Sequence, residues 1–225
     1  YISQIFNFEK ISLVTEAKMN EISDYTLSSV TYYNKYGVIF DLPLALIEII
    51  FNIEKIENIY YTKHLFSFFI FLLSSFFFYQ ILKQRFNNYY LALSGTILFI
   101  TTPRVFGDSF FYKDILFLSV FNIALYFLLK LSDNLNLKNI FYFSILTALA
   151  FNLRIFGIFL PVTFFLILII KNFYQKDIYN YLKYYIIYLL ALISFIILFS
   201  PYLWSNPLSN FLDIFVSLKR DLIGS

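Results

Sequence analysis

Residues 103–114 read PRVFGDSFFYKD and carry four charges, although long apolar runs flank them on both sides. Lipid tolerates such a polar segment only where the segment meets water or a cavity lined by protein. Ionisable groups held at that level usually serve a function. The sequence therefore predicts a membrane protein with a polar site between two of its spans.

The composition indicates an integral membrane protein. Of the 225 residues, 60% are hydrophobic and only 14% are charged, whereas a soluble domain is nearer to about one quarter charged. The chain has no cysteine and one histidine, which excludes thiolate chemistry and a multi-histidine metal site. The net charge of +3 is too small to indicate nucleic acid as a partner. The chain begins at Tyr1 and ends in a polar stretch, so we expect a fragment truncated at both ends.

The apolar runs predict an all-α, polytopic transmembrane helix bundle. We expect an outer loop with interfacial helices over 1–63, about six spans over 64–200, and an outer loop with an incomplete amphipathic tail over 201–225. The predicted spans are 64–82, 89–102, 115–129, two segments within 140–170, and 184–200.

Two segments differ from a simple span. Residues 37–53 contain two carboxylates and Pro43, which favours an interfacial or re-entrant helix pair broken at that proline. The apolar run 140–170 is too long for one crossing, so it predicts two segments with a polar corner near 152–157.

Two further expectations concern helix ends. The span that begins with 89–102 is short, and we expect it to continue through the region of Pro103 inside the bundle. His64 is predicted to lie at the start of a helix, near the membrane interface.

The lysine and arginine residues orient the bundle. With strict alternation of the spans, the loops 83–88, 130–139 and 171–183 lie on one side, which the positive-inside rule makes cytoplasmic. Seven cations lie in these loops: Lys83, Arg85, Lys130, Lys138, Lys171, Lys176 and Lys183. The segments 103–114 and 152–157 then lie together at the outer face of the inner (plasma) membrane.

The charged residues of 103–114 suit an anionic headgroup. Arg104 and Lys113 can bind a phosphate directly, and Asp108 and Asp114 can instead hold a divalent cation that binds it. The alternative is a solvated loop that only turns the chain.

Arg154 is the second candidate for phosphate binding. Because apolar residues flank it on both sides, its charge is costly at membrane depth unless it is paired or hydrated. We expect a phosphate clamp that faces Asp108 or Asp114 across the bundle. The alternative is an arginine that extends to the interface by itself.

Several segments resemble a known family. PRVFGDSFFYKDILF (103–117) and YYNKYGVIFDLPLALIE (32–48) resemble segments of bacterial membrane glycosyltransferases. These enzymes are related to dolichyl-phosphate-mannose protein mannosyltransferases and have the C-type glycosyltransferase fold. Shorter matches follow in the family's order, at TKHLFSFFIF (62–71), NLRIFG (152–157) and SPYLWSNPL (200–208).

The resemblance implies an enzyme that moves a sugar from a polyprenyl-phosphate-linked donor to a protein, lipid or glycan acceptor at the outer face. Lys113 and Asp114 match the family pattern, so the acidic role of the second outer loop falls on Asp114. Asp108 stands where the family usually has histidine, so its catalytic assignment is the weaker one. Tyr36 lies in a matching Tyr-Gly pair and is assigned to substrate binding.

The resemblance also implies a general base, which we expect to lie upstream of Tyr1. The family's base is an aspartate after the first transmembrane helix, upstream of the matching segments. The early carboxylates do not match it convincingly; they are Glu9, Glu16, Glu21 and Asp24.

Two other classes of protein fit the same pattern. A secondary transporter or lipid flippase would also place charges at membrane level and break its helices, but such proteins often show internal repeats, which this sequence lacks. A structural subunit without catalysis would not need the charges of 103–114.

Overall fold

This computed structural model describes residues 40–53, 56–109 and 112–212. Every regular element among them is helical, so the all-α prediction is confirmed. The α-helices are α1 Asp41–Ile50, α2 Ile56–Phe86, α3 Tyr89–Thr101, α4 Pro103–Asp108, α5 Tyr112–Asp133, α6 Leu137–Leu153, α7 Phe159–Gln175 and α8 Ile178–Phe199. Two 3-10 helices, Ile155–Ile158 and Pro201–Leu203, interrupt this order.

Four of the described helical segments are long and apolar enough to cross a membrane. They are Glu57–Phe86, Asp114–Asp133, Ile155–Gln175 and Ile178–Phe199. Two shorter apolar helices, α3 and α6, lie between them along the chain. Each of the predicted apolar spans is therefore helical.

Helix α5 is the most enclosed of these candidate spans. Half of the most apolar 18-residue stretch of α5 is buried, whereas 17–22% is buried in the corresponding stretches of the other three. It packs mainly on α6, and its buried apolar side chains recur at helical spacing, at Ile115, Leu116, Val120, Ile123, Ala124, Leu128 and Leu131. The segment after the quoted polar stretch is thus the centre of the packing.

Three aromatic side chains join helices α6, α7 and α8. Phe143 stacks on Tyr188 with ring centroids 5.0 Å apart and meets Phe164 edge-on at 5.5 Å. The rings of Phe164 and Tyr188 also meet edge-on, at 5.1 Å. All three side chains are fully buried, so part of the abundant phenylalanine and tyrosine forms the core.

Helix α1 differs from the predicted pair broken at Pro43. A single helix begins at Asp41 and continues through Pro43 to Ile50. Pro43 lies in the first turn, where backbone N–H groups have no intrahelical acceptor, so proline removes no hydrogen bond. The prediction of a break at this residue was wrong.

Helix α2 begins earlier than predicted. His64 lies in its third turn rather than at its start, because the polar residues from Ile56 onward are already helical. The imidazole packs on the ring of Tyr60 one turn earlier, with 3.9 Å between centroids. Residues 56–63 are polar but contain no proline or glycine, so they can still form the start of this helix.

The chain does not continue as one helix through Pro103. Helix α3 ends at Thr101, and Thr102 adopts a non-helical conformation with ψ 121°. The ring of a proline disfavours the helical region for the residue before it, and proline is accepted at the first helical position. Pro103 therefore ends α3 and begins the short helix α4.

The predicted corner in the run 140–170 is confirmed. Helix α6 ends at Leu153, Arg154 is extended, and a 3-10 turn leads into α7. Residues 60–196 form one compact unit that includes this corner and the segment 103–114, and the other described residues belong to a second unit.

Candidate active site

Asp114 lies in the first turn of α5. A carboxylate is favourable there because the first N–H groups of a helix carry partial positive charge. The side chain is 57% exposed, whereas the next two residues, Ile115 and Leu116, are buried. Helix α5 therefore fixes the backbone of Asp114 and leaves its carboxylate accessible.

Arg154 lies at the break between α6 and the 3-10 helix. Its backbone is extended, with φ −150° and ψ 139°, and its N–H donates to the carbonyl of Ala150 at 2.9 Å. Its carbonyl accepts from the N–H of Gly157, also at 2.9 Å. Two backbone hydrogen bonds thus hold the arginine at the end of α6.

The guanidinium of Arg154 donates to the carboxylate of Asp114. This contact joins the end of α6 to the start of α5, across 40 residues of sequence. Both side chains remain about half exposed, at 43% for Arg154 and 57% for Asp114. An ion pair so exposed contributes only about 0–1 kcal/mol to stability, so stability is a weak reason for its presence.

Arg104 and Asp108 form a separate pair on α4. They stand one turn apart, with 3.8 Å between Nε and the carboxylate oxygen. The Arg104 side chain is 93% exposed and that of Asp108 is 44% exposed. Of the two carboxylates expected opposite Arg154, it is therefore Asp114 that contacts it.

Ser109 ends α4 and precedes the start of α5. It is fully buried, and its hydroxyl donates to the carbonyl of Phe106 at 2.6 Å. The sequence analysis did not single out Ser109. A small polar residue directly after a short charged segment is the signal that would have found it.

Two predicted site residues lie partly or wholly outside the described part of the chain. The backbone of Lys113 belongs to the first turn of α5, but its side chain is not among those described. Tyr36 falls outside the described residues, as do the four early carboxylates considered for the general base.

A divalent cation held by the carboxylates was one of the two alternatives for binding a phosphate at this segment. Within 40–53, 56–109 and 112–212, no three residues of the types His, Cys, Asp and Glu cluster around a common point. Asp108 and Asp114 each face an arginine instead. This arrangement suits direct binding of an anion by guanidinium groups, whose planar forks match phosphate oxygens.

Taken together, the fold and this site define a polytopic helical membrane protein with a charged site at one end of its bundle. The profile of one protein family, described as dolichyl-phosphate-mannose-protein mannosyltransferase, matches residues 42–204. The chain belongs to this family, and membership implies membrane glycosyltransferase activity in general. Comparisons with curated proteins and with solved structures return no significant match.

The matched range contains both arginine–aspartate pairs. Tyr36 and the early carboxylates precede it. The family relation inferred from the short motifs is thereby confirmed.

Proposed function

We propose that this chain belongs to an enzyme that moves a sugar from a polyprenyl-phosphate-linked donor to a protein, lipid or glycan acceptor. The reaction would take place at the outer face of the inner (plasma) membrane. The observation that carries the proposal is the half-exposed Arg154–Asp114 pair, which lies inside the family-matched range.

The chemistry requires groups of both charges. The acceptor oxygen forms a bond to the anomeric carbon while the bond from that carbon to the phosphate oxygen breaks, with inversion. The acceptor's proton passes to a carboxylate base, and the electron pair of the broken bond leaves with the lipid phosphate. Arg154 would stabilise the negative charge that develops on the phosphate, and Arg104 would bind the donor phosphate.

Asp114 would act in two ways at this site. One oxygen of its carboxylate accepts from Arg154 and so holds the guanidinium in place, where it would meet the donor phosphate. The carboxylate is also exposed enough to accept a hydrogen bond from a substrate hydroxyl. Asp108 is the second, weaker candidate for such contact, since it faces Arg104 instead.

The distribution of charge supports an outer site. The Asp133 carboxylate accepts from the side-chain amide of Gln84, which brings the ends of α2 and α5 together. Lys83, Arg85 and Lys130 lie in the last turns of these two helices. Asp114 is at the opposite end of α5, so a cytoplasmic basic end would put the Arg154–Asp114 pair outside.

The test is Asp114→Asn in the full-length protein, assayed in membrane vesicles with polyprenyl phosphate mannose as the donor probe. We expect sugar transfer to be abolished while expression and size-exclusion behaviour stay unchanged. Asp133→Asn is the matched control, because it removes a carboxylate from the other end of the same helix and should leave transfer intact.

Two results would contradict this proposal. Normal transfer by Asp114→Asn would remove Asp114 from the site. If the unchanged protein transferred no sugar from any polyprenyl-phosphate-linked donor, the proposed donor class would be wrong.

A further inference from the structure

The turn after Arg154 packs unusually closely against the helix before it. A Cβ placed on Gly157 would lie 2.5 Å from the backbone nitrogen of Phe151 and 2.7 Å from the carbonyl carbon of Ala150. These are backbone atoms, which cannot move aside as the end of a side chain can. Gly157 has no positive φ, so the requirement for glycine here comes from the close approach alone.

Arg154 is linked to both sides of this contact. Its N–H donates to Ala150, in the turn of α6 that a Cβ at position 157 would push away. Its carbonyl accepts from the N–H of Gly157 itself. Any separation of Gly157 from α6 must therefore break one of these 2.9 Å hydrogen bonds or move the arginine.

We propose that Gly157 is a positioning residue, which sets the place of the Arg154 guanidinium relative to Asp114 through this backbone contact. The proposal rests on the proposed function for its catalytic consequence, but the geometry can be tested without any assay of transfer. In this proposal Gly157 acts through Arg154 and does not contact the substrate.

Two other glycines of the same unit serve as matched controls. A Cβ at Gly107, on α4, would meet nothing within 4 Å. A Cβ at Gly95, on α3, would lie 2.7 Å from Cδ1 of Leu82, which is the mobile end of a side chain. Substitution by alanine at these two positions tests the general effect of losing a helical glycine.

The geometric test uses a zero-length crosslink. In an Arg154→Lys background, a water-soluble carbodiimide can join the amine at position 154 to the carboxylate of Asp114 as an amide, but only when the two groups are in contact. A Gln84→Lys background provides the same reaction with Asp133 at the other end of α5. Both amides are quantified by mass spectrometry of the digested full-length protein.

We expect Gly157→Ala to lower the yield of the 154–114 amide several-fold and to leave the 84–133 amide unchanged. Gly95→Ala and Gly107→Ala should change neither. An unchanged 154–114 amide in Gly157→Ala would overturn the inference. A loss of both amides would also overturn it, because Gly157 would then support the bundle in general.

Kinetics of the full-length protein separate this inference from the proposed function. With polyprenyl phosphate mannose as the probe, Gly157→Ala should lower kcat by about 100-fold, because a displacement of about 1 Å at a reacting centre has that effect. KM should change far less. If the 154–114 amide is lost and kcat is unchanged, the positioning role of Gly157 stands and the catalytic role of the pair fails.

Discussion

The two ends of helix α5 each carry an aspartate that contacts a distant part of the chain, but the two ends are built differently. At the first end, Asp114 faces the guanidinium of Arg154, and the neighbouring connections contain the short helix α4 and a 3-10 turn. At the second end, Asp133 accepts from the amide of Gln84, and the nearby connections are short.

Side-chain caps hold the connections at the second end. Asn88 accepts from the N–H groups of Tyr90 and Leu91 at the start of α3. Asn136 accepts from Asn139 at the start of α6. Each cap satisfies one or two N–H groups that have no acceptor within their own helix. The short connections at this end are therefore stabilised by side-chain caps.

At the first end, two of the described helices begin without such a cap. Neither α4 nor the 3-10 helix Ile155–Ile158 has a side-chain cap at its start. Arg104 pairs with Asp108 and Arg154 pairs with Asp114, and the Arg104 side chain is 93% exposed. The two ends therefore differ in how their contacts are made: side-chain caps recur at the second end, whereas arginine–aspartate pairs stand at the first.

The largest expected effect is the loss of kcat in Arg154→Ala, which tests whether the first end of α5 serves function. Arg154→Ala should lower kcat by about 100- to 1,000-fold, the usual cost of removing one donor to a developing oxyanion. Because the ion pair is half exposed, the free energy of unfolding should fall by no more than about 1 kcal/mol. Transfer kinetics and thermal unfolding of the full-length protein in detergent measure the two effects. A large loss of stability with normal kcat would reverse the assignment of this end.

Arg104 should show a smaller and different effect. We expect Arg104 to bind the donor phosphate equally strongly in the ground state and in the transition state. Arg104→Ala should then raise KM about tenfold and leave kcat nearly unchanged. The loss should diminish at high salt, since exposed charges are screened. Lys138→Ala, an exposed cation at the opposite end of the bundle, is the control, and an equal rise in KM there would argue against a specific contact.

The smallest effect is expected at the second end. Asn88→Ala should lower the free energy of unfolding by about 1 kcal/mol, because two N–H groups of α3 lose their acceptor. Transfer activity per folded molecule should stay the same. A comparison of Tm with specific activity checks both, and a loss of activity without a change in Tm would show that this end also takes part in function.

Local sequence information predicted much of the fold. The apolar runs marked the helices, and their composition placed the protein in a membrane, because the bilayer requires runs of a set length. The corner at 152–157 followed from the same length argument. The errors lay at Pro43, His64 and Pro103, where the exact start or end of a helix depends on details finer than a hydrophobic run.

The short motifs determined the family and the set of candidate charges, but not how the charges pair. Nothing in the spacing of Asp108, Asp114 and Arg154 decides which carboxylate meets the arginine, since 40 residues separate the partners. That choice follows from the packing of α5 on α6, which brings the start of one helix to the end of the other.

The role of Gly157 shows the same division. The sequence placed it only at the edge of the polar corner near 152–157. Only the tertiary structure showed that a turn approaches the backbone of α6 too closely for a Cβ. Chain composition therefore determined that this protein lies in a membrane and where its apolar helices are. Contacts between distant backbone segments decided where its charged side chains stand.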